Sequence, residues 1–210
     1  MRSAGRIKKT PVAYEQDRAD VLQKRASFVA QQPDLEARRL IFVDESGFKL
    51  GSTPRHGWAP RGQDAPGRQV QGKWETVTMI GAMALDGFRG LMTVNAGTSN
   101  DVFQAFVVHE LVPNLCPGDL VVMDNLSAHR NATVKRWIEE AGANILFTPP
   151  YSPEFNPIEE AWAKLKDILR RAQTLTRQAF DHALAAAIDC IRLQDICAWV
   201  QFAGYSINSM

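Results

Sequence analysis

The stretch Leu120-Val-Val-Met-Asp124 is a run of four apolar residues that ends in a carboxylate. Leu40-Ile-Phe-Val-Asp44, nearer the N-terminus, has the same pattern. Short apolar runs rich in β-branched residues are typical of strands that are buried on both faces of a sheet. Each segment therefore predicts a buried strand that ends in an acidic residue.

The segments around these two strands complete an α/β pattern. Thr76 to Ala84 and Phe88 to Val94 flank an Asp-Gly pair, which predicts a β-hairpin. An Asn-Pro pair favours a helix start, with Asn156 as the N-cap and Glu159 in the first turn. The other predicted elements are a helix from Ser99 or Asn100 to about Val112, a helix from Thr133 to Ala141 that ends at Gly142, a strand from Asn144 to Phe147, and C-terminal helices at about Thr176 to Arg192 and Ile196 to Phe202. The order βββαβαβα predicts a ribonuclease H-like α/β fold, a mixed five-stranded sheet flanked by helices, in which the first and fourth strands can be neighbours.

Composition is consistent with one domain that has extensions. The chain has 210 residues, of which 45% are hydrophobic and 22% charged, which suits one well-packed domain. We expect an N-terminal connector or arm over residues 1–37 and the ribonuclease H-like domain over residues 38–205. The Gly-, Pro- and Arg-rich residues 47–74 are expected to form an inserted loop or hairpin.

Other features of the composition exclude some classes of protein. No apolar segment approaches the roughly 20 residues of a membrane span, and no apolar signal core follows the basic N-terminus, so we expect a cytoplasmic protein. Three cysteines without a CxxC pair favour reduced, buried thiols over a zinc site. The net charge of +1 does not identify a partner, but basic residues gather in three clusters that can contact phosphates.

Three acidic residues, Asp44, Asp124 and Glu159, are the candidate site residues. Mg²⁺ prefers hard oxygen ligands, and a two-metal site uses shared carboxylates to activate an attacking oxygen and stabilise a leaving one. Structural interpretations stay open, because the first acid can simply end a strand and the second can form an Asx turn. The third can complete a capping box with Asn156, and Glu160 competes with it as a ligand. The chain has 23 acidic residues, so spacing alone does not identify a site.

The flanking motifs are more specific than the acids. They are Val43-Asp-Glu-Ser-Gly47, Met123-Asp-Asn-Leu-Ser-Ala-His129, Pro149-Pro-Tyr-Ser-Pro-Glu-Phe-Asn-Pro-Ile-Glu-Glu-Ala-Trp162 and a separation of 34 residues between the second and third acids. Together they resemble the DDE transposases of the mariner superfamily, specifically its bacterial insertion-sequence branch, the IS six-thirty family. The resemblance covers roughly residues 15–205.

This resemblance implies a transposase catalytic domain that depends on two Mg²⁺ ions, for which Mn²⁺ can substitute. Asp44, Asp124 and Glu159 would be the metal ligands and catalytic residues. The enzyme would cleave DNA at transposon ends and join the freed 3′-hydroxyl to target DNA, typically at TA. Implied partners are transposon-end and target DNA and a second copy of the chain in a synaptic homodimer, and the implied location is the bacterial cytoplasm, at the nucleoid when DNA is bound.

Several other residues are candidates for contacts with DNA. A tryptophan between two arginines can stack on DNA, clamp it or reach across a dimer, although plain loop packing explains the same pattern. A histidine after the second acid can orient it or contact phosphate, and two lysines follow the third acid. Glu45 is expected to have a structural or supporting role. The candidate DNA contacts are Arg55, Trp58, Arg61, His129, Lys164 and Lys166.

One departure from the family keeps other functions open. Complete members carry N-terminal helix-turn-helix domains, and nothing before Arg39 has the periodicity for them, so DNA recognition is expected to come from a separate or frameshifted product. The chain can instead be a truncated remnant that binds DNA or oligomerises without cutting. A non-transposing nuclease of the same fold is the third interpretation.

Overall fold

Five strands form one mixed sheet in the order β3-β2-β1-β4-β5. The computed structural model describes residues 14–54, 59–64, 66, 75–95, 97–126 and 129–207. Strand β1 is antiparallel to β2 and parallel to β4, and β5 is parallel to β4. The first and fourth strands are therefore neighbours, as predicted. The strands are β1 (Leu40–Lys49), β2 (Thr76–Ala84), β3 (Gly87–Val94), β4 (Leu120–Met123) and β5 (Asn144–Phe147).

The prediction that β1 ends at Asp44 is wrong, because the strand continues to Lys49. Its parallel partner β4 pairs only with residues Leu40 to Phe42, whereas the antiparallel partner β2 pairs from Phe42 onward. The ladder with β2 therefore carries β1 past the end of β4. Asp44 lies in the middle of a strand, at the point where one neighbouring strand has stopped and that side of the sheet is open.

Helices cover both faces of the sheet. Because successive side chains of a strand point to opposite faces, Leu40 and Phe42 belong to one core cluster and Ile41 and Val43 to the other. The first cluster includes residues of α1, α4, α5 and α6, and the second includes residues of α2 and α3. The helices are α1 (Ala19–Gln31), α2 (Asn100–Phe106), α3 (Ala132–Glu140), α4 (Ile158–Ala172), α5 (Arg177–Asp189) and α6 (Leu193–Phe202).

The ends of α2 and α3, the helices of the second cluster, follow the predicted signals. Ser99 caps α2 by accepting a hydrogen bond from the backbone of Val102. The helix continues as a π-helical turn, Val107–Leu111, and then as a 3-10 turn, Val112–Asn114, so its predicted extent is confirmed. The π-helical turn is wider than an α-helix, and the 3-10 turn is tighter. Gly142 follows α3 with φ of 80°, a conformation that glycine adopts without strain.

The start of α4 corrects one prediction. Asn156 is not the N-cap, because the helix begins at Ile158 after Pro157 and has no side-chain cap. The Asn156 amide Nδ2 instead donates to the carbonyl of Val43 at 3.0 Å. That carbonyl lies one residue beyond the last residue of β1 that pairs with β4, so the amide satisfies a backbone acceptor that the sheet leaves open.

The segment before the sheet packs on the same core. Val21 and Phe28 of α1 are buried, and the ring of Phe28 stacks on Phe155 with centroids 5.0 Å apart. Arg25 reaches the loop before α4, where it donates to Ser152 at 2.6 Å and pairs with Glu154 at 2.5 Å. Helix α1 therefore supports the loop that leads into α4.

Two other predictions concern exposure. The cysteines are free thiols, but Cys116 and Cys190 are exposed and Cys197 is partly exposed, so the prediction that they are buried is wrong. They lie on loops and on the outer side of α6, where the pattern of core residues does not require them. None of the helices in the described residues has both the length and the apolar character to cross a membrane.

Candidate active site

The three predicted acids line one pocket of about 450 Å³. Asp44 comes from β1, beyond the end of β4. Asp124 is the first residue after β4, and Glu159 lies in the first turn of α4. Glu160, the competing acid, does not line this pocket. The fold therefore brings together residues that are far apart in the sequence, and it favours Glu159 as the third member.

Asp44 is partly buried and accepts a hydrogen bond from one side chain of the described residues. The indole Nε1 of Trp162 donates to its Oδ2 at 3.1 Å. Burial, together with the negative charges of Glu159, Glu45 and Asp124, raises the pKa of Asp44 to about 8. A neutral N–H orients this carboxylate but does not cancel its charge.

Asp124 has a different environment, because a histidine holds it. The Nδ1 of His129 lies 2.5 Å from Oδ1 of Asp124, and the backbone N–H of Leu126 donates to the same oxygen at 3.2 Å. On its other side, His129 Nε2 lies 3.1 Å from Oε1 of Glu45. Burial lowers the pKa of His129, but its hydrogen bonds to Asp124 and Glu45 outweigh burial and bring the pKa to about 10. The histidine is therefore protonated at neutral pH and donates from both nitrogens.

This position corrects the prediction that His129 contacts DNA. Its side chain is 0% exposed and packs against the ring of Phe103, with centroids 4.3 Å apart. A buried, protonated imidazole reaches no phosphate and accepts no proton. The role that fits His129 is the orientation of Asp124. Glu45 holds the histidine from the other side, which agrees with the supporting role expected of it.

Glu159 is exposed at the mouth of the pocket. Partial burial raises its pKa, the charges of Asp124 and Glu160 raise it as well, and Lys166 lowers it. The pKa values of two acids of one pocket thus lie above those of free carboxylates, first because burial disfavours the charged form and second because neighbouring negative charges repel each other. A bound cation would relieve this repulsion.

The donor set fits a hard divalent cation such as Mg²⁺. It consists of carboxylate oxygens and one amide oxygen, the Oδ1 of Asn156. Asn156 lines the same pocket, and its Oδ1 is buried and has no hydrogen-bond partner in the described part of the chain. Within that part, no three His, Cys, Asp or Glu side chains are already close enough together to hold an ion. The fit therefore rests on the chemistry of the donors, the repulsion between the acids and the unpaired amide oxygen.

A basic groove is lined by the end of β1, the residues that follow it and α4, and β1 and α4 also carry Asp44 and Glu159. It has a volume of about 590 Å³, and its cationic lining residues are Lys49, Lys166 and Arg170. Burial lowers the pKa of Lys166, whereas the charges of Glu159 and Asp44 raise it. Helix α4 thus carries an acid toward one pocket and two cations toward the other.

The remaining predicted DNA contacts have different outcomes. Lys164 is already paired with Asp195 at 2.6 Å and lies 5.9 Å from the ring centroid of Trp199, so it faces α6 and not the groove. Arg61 is exposed. Arg55 and Trp58 lie outside the described residues.

Sequence reasoning missed three residues at the site. Gly81 and Trp162 were assigned only to elements of the core, and Tyr151 was part of a motif without a role. Tyr151 lines the acidic pocket, is 46% exposed and has a φ of 56°, which is strained for a residue other than glycine. A glycine within an apolar strand is a signal of close packing that could have pointed to Trp162.

Comparison with known proteins supports this description of the fold. Residues 39–181 match the model of a protein family described as DDE superfamily endonuclease. No curated protein matches the chain. Three similar solved structures are the Mos1 transposase paired-end complex with left transposon end (TM-score 0.78, 14% identity, 97% of this chain and 65% of that chain), the mariner Mos1 paired end complex with Mg (0.72, 16%, 96% and 66%) and the Mos1 transposase catalytic domain with Raltegravir and Mn (0.69, 11%, 89% and 92%).

At these identities the similarity is one of fold, and it confirms the predicted ribonuclease H-like architecture of DDE transposase catalytic domains. The chain covers 65% of the Mos1 chain in the paired-end complex and 92% of the Mos1 catalytic domain that was solved alone.

Proposed function

Because this chain belongs to the DDE superfamily of endonucleases, we propose that it is the catalytic domain of a transposase that cleaves DNA at transposon ends and joins the freed ends to target DNA at TA. The observation that carries the proposal is the pocket that Asp44, Asp124 and Glu159 share. The motifs around these acids support the bacterial insertion-sequence branch. We also propose that the protein acts in the cytoplasm, on chromosomal DNA.

Divalent ions, when bound, would activate the attacking oxygen and stabilise the leaving oxygen of an in-line displacement at phosphorus. Asp44, Asp124 and Glu159 would hold two Mg²⁺ ions, for which Mn²⁺ can substitute. His129 and Trp162 orient the two aspartates, and the amide oxygen of Asn156 is available as a further acceptor. The nucleophiles are water and then a DNA 3′-hydroxyl, so the chain supplies no nucleophile of its own.

The basic groove supports DNA as the partner. Lys49, Lys166 and Arg170 can neutralise the phosphates next to the one that reacts, and such contacts supply most of the sequence-independent affinity for DNA. The charges of Glu159 and Asp44 act on Lys166, so the groove and the acidic pocket are neighbours. We propose that a DNA strand crosses α4 from the cations to the acids.

The basic groove offers contacts with phosphates, and such contacts carry no sequence information by themselves. We propose that a helix-turn-helix product supplies end recognition and that two copies of the catalytic domain act together in a synaptic complex.

The experiment that tests the function is strand transfer with purified protein. Pre-cleaved element-end DNA is incubated with a TA-containing target and Mg²⁺ or Mn²⁺, with wild type compared with Asp124→Ala and with Glu160→Gln as the matched acidic control. Joined products that need Asp124 and not Glu160 would support the proposal. Metal-dependent nicking without joining would indicate a nuclease, and DNA binding without any metal-dependent cleavage would contradict an enzymatic role.

A further inference from the structure

Trp162 is a core residue whose polar atom is used at the active site. Its side chain is 1% exposed and belongs to the core cluster on the α4 face of the sheet. A buried indole N–H needs an acceptor, and here the acceptor is Oδ2 of Asp44 at 3.1 Å. The largest side chain of the core therefore ends on the most buried of the three acids.

Gly81 makes this contact sterically feasible. It is the cross-strand partner of Asp44 in the pairing of β1 with β2, so the two positions face the same side of the sheet. A Cβ atom at Gly81 would lie 2.7 Å from Cη2 of Trp162, which is closer than real Cβ contacts, and 3.0 Å from Cζ2, which is tighter than most of them. The φ of Gly81 is not positive. Space for the indole, and not backbone conformation, is therefore what requires glycine there.

Helix α4 connects this arrangement to Glu159. Residues three apart on a helix lie on the same side of it, so Glu159 and Trp162 both face β1. The ring of Phe88, 5.8 Å from that of Trp162 between centroids, packs against the indole from β3. One helix thus supplies one acid directly and orients another through a hydrogen bond.

We infer that Trp162, whose indole packs against Gly81, is a positioning residue that fixes one oxygen of Asp44 and leaves the other oxygen for a divalent cation. The inference rests on the proposed function, because it takes Asp44 as a metal ligand. Partners that orient a ligand in this way typically change metal affinity by roughly 10- to 100-fold when they are removed. Trp162 touches neither substrate nor metal, so its effect is on metal affinity before any chemistry occurs.

The first test removes the N–H and keeps an aromatic ring. Trp162→Phe should weaken Mn²⁺ binding by roughly 10-fold, the lower end for such partners, because Asp44 is no longer oriented. Binding is measured by electron paramagnetic resonance and calorimetry on the full chain without DNA. Trp137→Phe, a partly buried tryptophan on α3 on the other face of the sheet, is the matched control and should bind Mn²⁺ like wild type.

The second test displaces the indole and keeps the N–H. The added methyl group of Gly81→Ala forces the indole away from its position beside Asp44. This variant should therefore weaken Mn²⁺ binding to a similar extent, even though Trp162 is intact. Thermal unfolding of the metal-free variants separates this effect from loss of packing. If Trp162 had a purely structural role, Trp162→Phe and Trp137→Phe would both lower stability and neither would change metal affinity.

A third measurement observes the contact directly. The indole ¹H–¹⁵N resonance that disappears in Trp162→Phe should shift during a Mg²⁺ titration, with the midpoint that calorimetry gives. Wild-type affinity in both Trp162→Phe and Gly81→Ala would overturn the inference while leaving the proposed function intact. Failure of wild type to bind metal more tightly than Asp44→Asn would overturn the proposed function and the inference together.

Discussion

Asp44 and Asp124 line the same pocket, yet the protein supports their negative charges in different ways. Asp44 receives a hydrogen bond from a neutral indole in the core, whereas Asp124 contacts a buried histidine that Glu45 holds from the other side. A neutral donor orients a carboxylate, whereas a protonated histidine also balances its charge. The uncompensated charge therefore lies on the side of Asp44 and Glu159.

The largest expected effect is on catalysis. Asp44→Asn and Asp124→Asn should each lower the rate of metal-dependent DNA cleavage by roughly 100- to 1,000-fold or more, because both aspartates are proposed ligands of ions that stabilise the transition state. Single-turnover cleavage rates measure the loss. Glu160→Gln is the control with an unchanged rate, and a rate near that of wild type for either aspartate variant would remove that residue from the site.

The next effect is on stability, at the histidine that holds Asp124. His129→Gln should lower the free energy of unfolding by about 3–5 kcal/mol, because it leaves the nearly buried carboxylate of Glu45 without its cationic partner. Urea unfolding measures this loss. Lys135→Gln breaks the exposed pair with Glu139 on α3 and should cost less than about 1 kcal/mol. Similar losses in the two variants would show that the contacts of His129 with Asp124 and Glu45 stabilise the fold no more than an exposed ion pair does.

The pH dependence of stability distinguishes Asp44 from His129, the residue that holds Asp124. The pKa of Asp44 rises from 3.8 to about 8 in the folded chain, so its contribution to stability is present below pH 3.8 and is lost as the pH rises through 8. The pKa of His129 rises from 6.5 to about 10, so its contribution is present below pH 6.5 and is lost as the pH rises through 10. Both make the metal-free protein less stable in base.

Asp44→Asn should remove the first of these losses and leave the second. Without metal at pH 8.5, we expect the variant to be more stable than wild type by about 1–3 kcal/mol, since it deletes a buried, uncompensated charge. Urea unfolding in EDTA between pH 5 and pH 10 measures both profiles. Equal slopes for variant and wild type between pH 5 and pH 8 would contradict this assignment of the charge.

The smallest expected effect is on DNA affinity. Lys166→Gln should weaken DNA binding severalfold at low salt and reduce the salt dependence of binding by about one counterion, because Lys166 lines the basic groove. Lys164→Gln is the matched control on the same helix, since Lys164 is paired with Asp195. Fluorescence anisotropy on a duplex of random sequence measures both. If Lys164→Gln had the larger effect, DNA would cross α4 on the other side.

Much of the fold follows from local patterns in the sequence. The hairpin from Thr76 to Val94, the short strands before Asp124 and after Gly142, and the Ser99 cap all have strong local signals, and all are present in the structure. Asp44 and Asp124 were expected to meet because the first and fourth strands can be neighbours in this fold, and Glu159 was expected at the start of a helix. The structure brings them to one pocket.

The features that sequence could not predict depend on partners far away in the chain. Strand β1 continues past Asp44 because β2 continues to pair with it, and no residue of β1 signals this. Asn156 has the sequence of a helix cap, but its amide is used by Val43. The sequence left open whether His129 orients Asp124 or contacts phosphate, and its burial depends on Phe103 and two carboxylate partners elsewhere in the fold.

The most direct test of the central claim is the location of metal in a crystal. Diffraction from a crystal grown with Mn²⁺, measured at an energy where manganese scatters anomalously, should show a peak at roughly 2.0–2.3 Å from oxygens of both Asp44 and Asp124, with Glu159 at the same centre. The Trp162 N–H should remain on Asp44 and His129 on Asp124. Anomalous peaks elsewhere, and none in this pocket, would contradict the claim that the three acids form a metal-dependent active site.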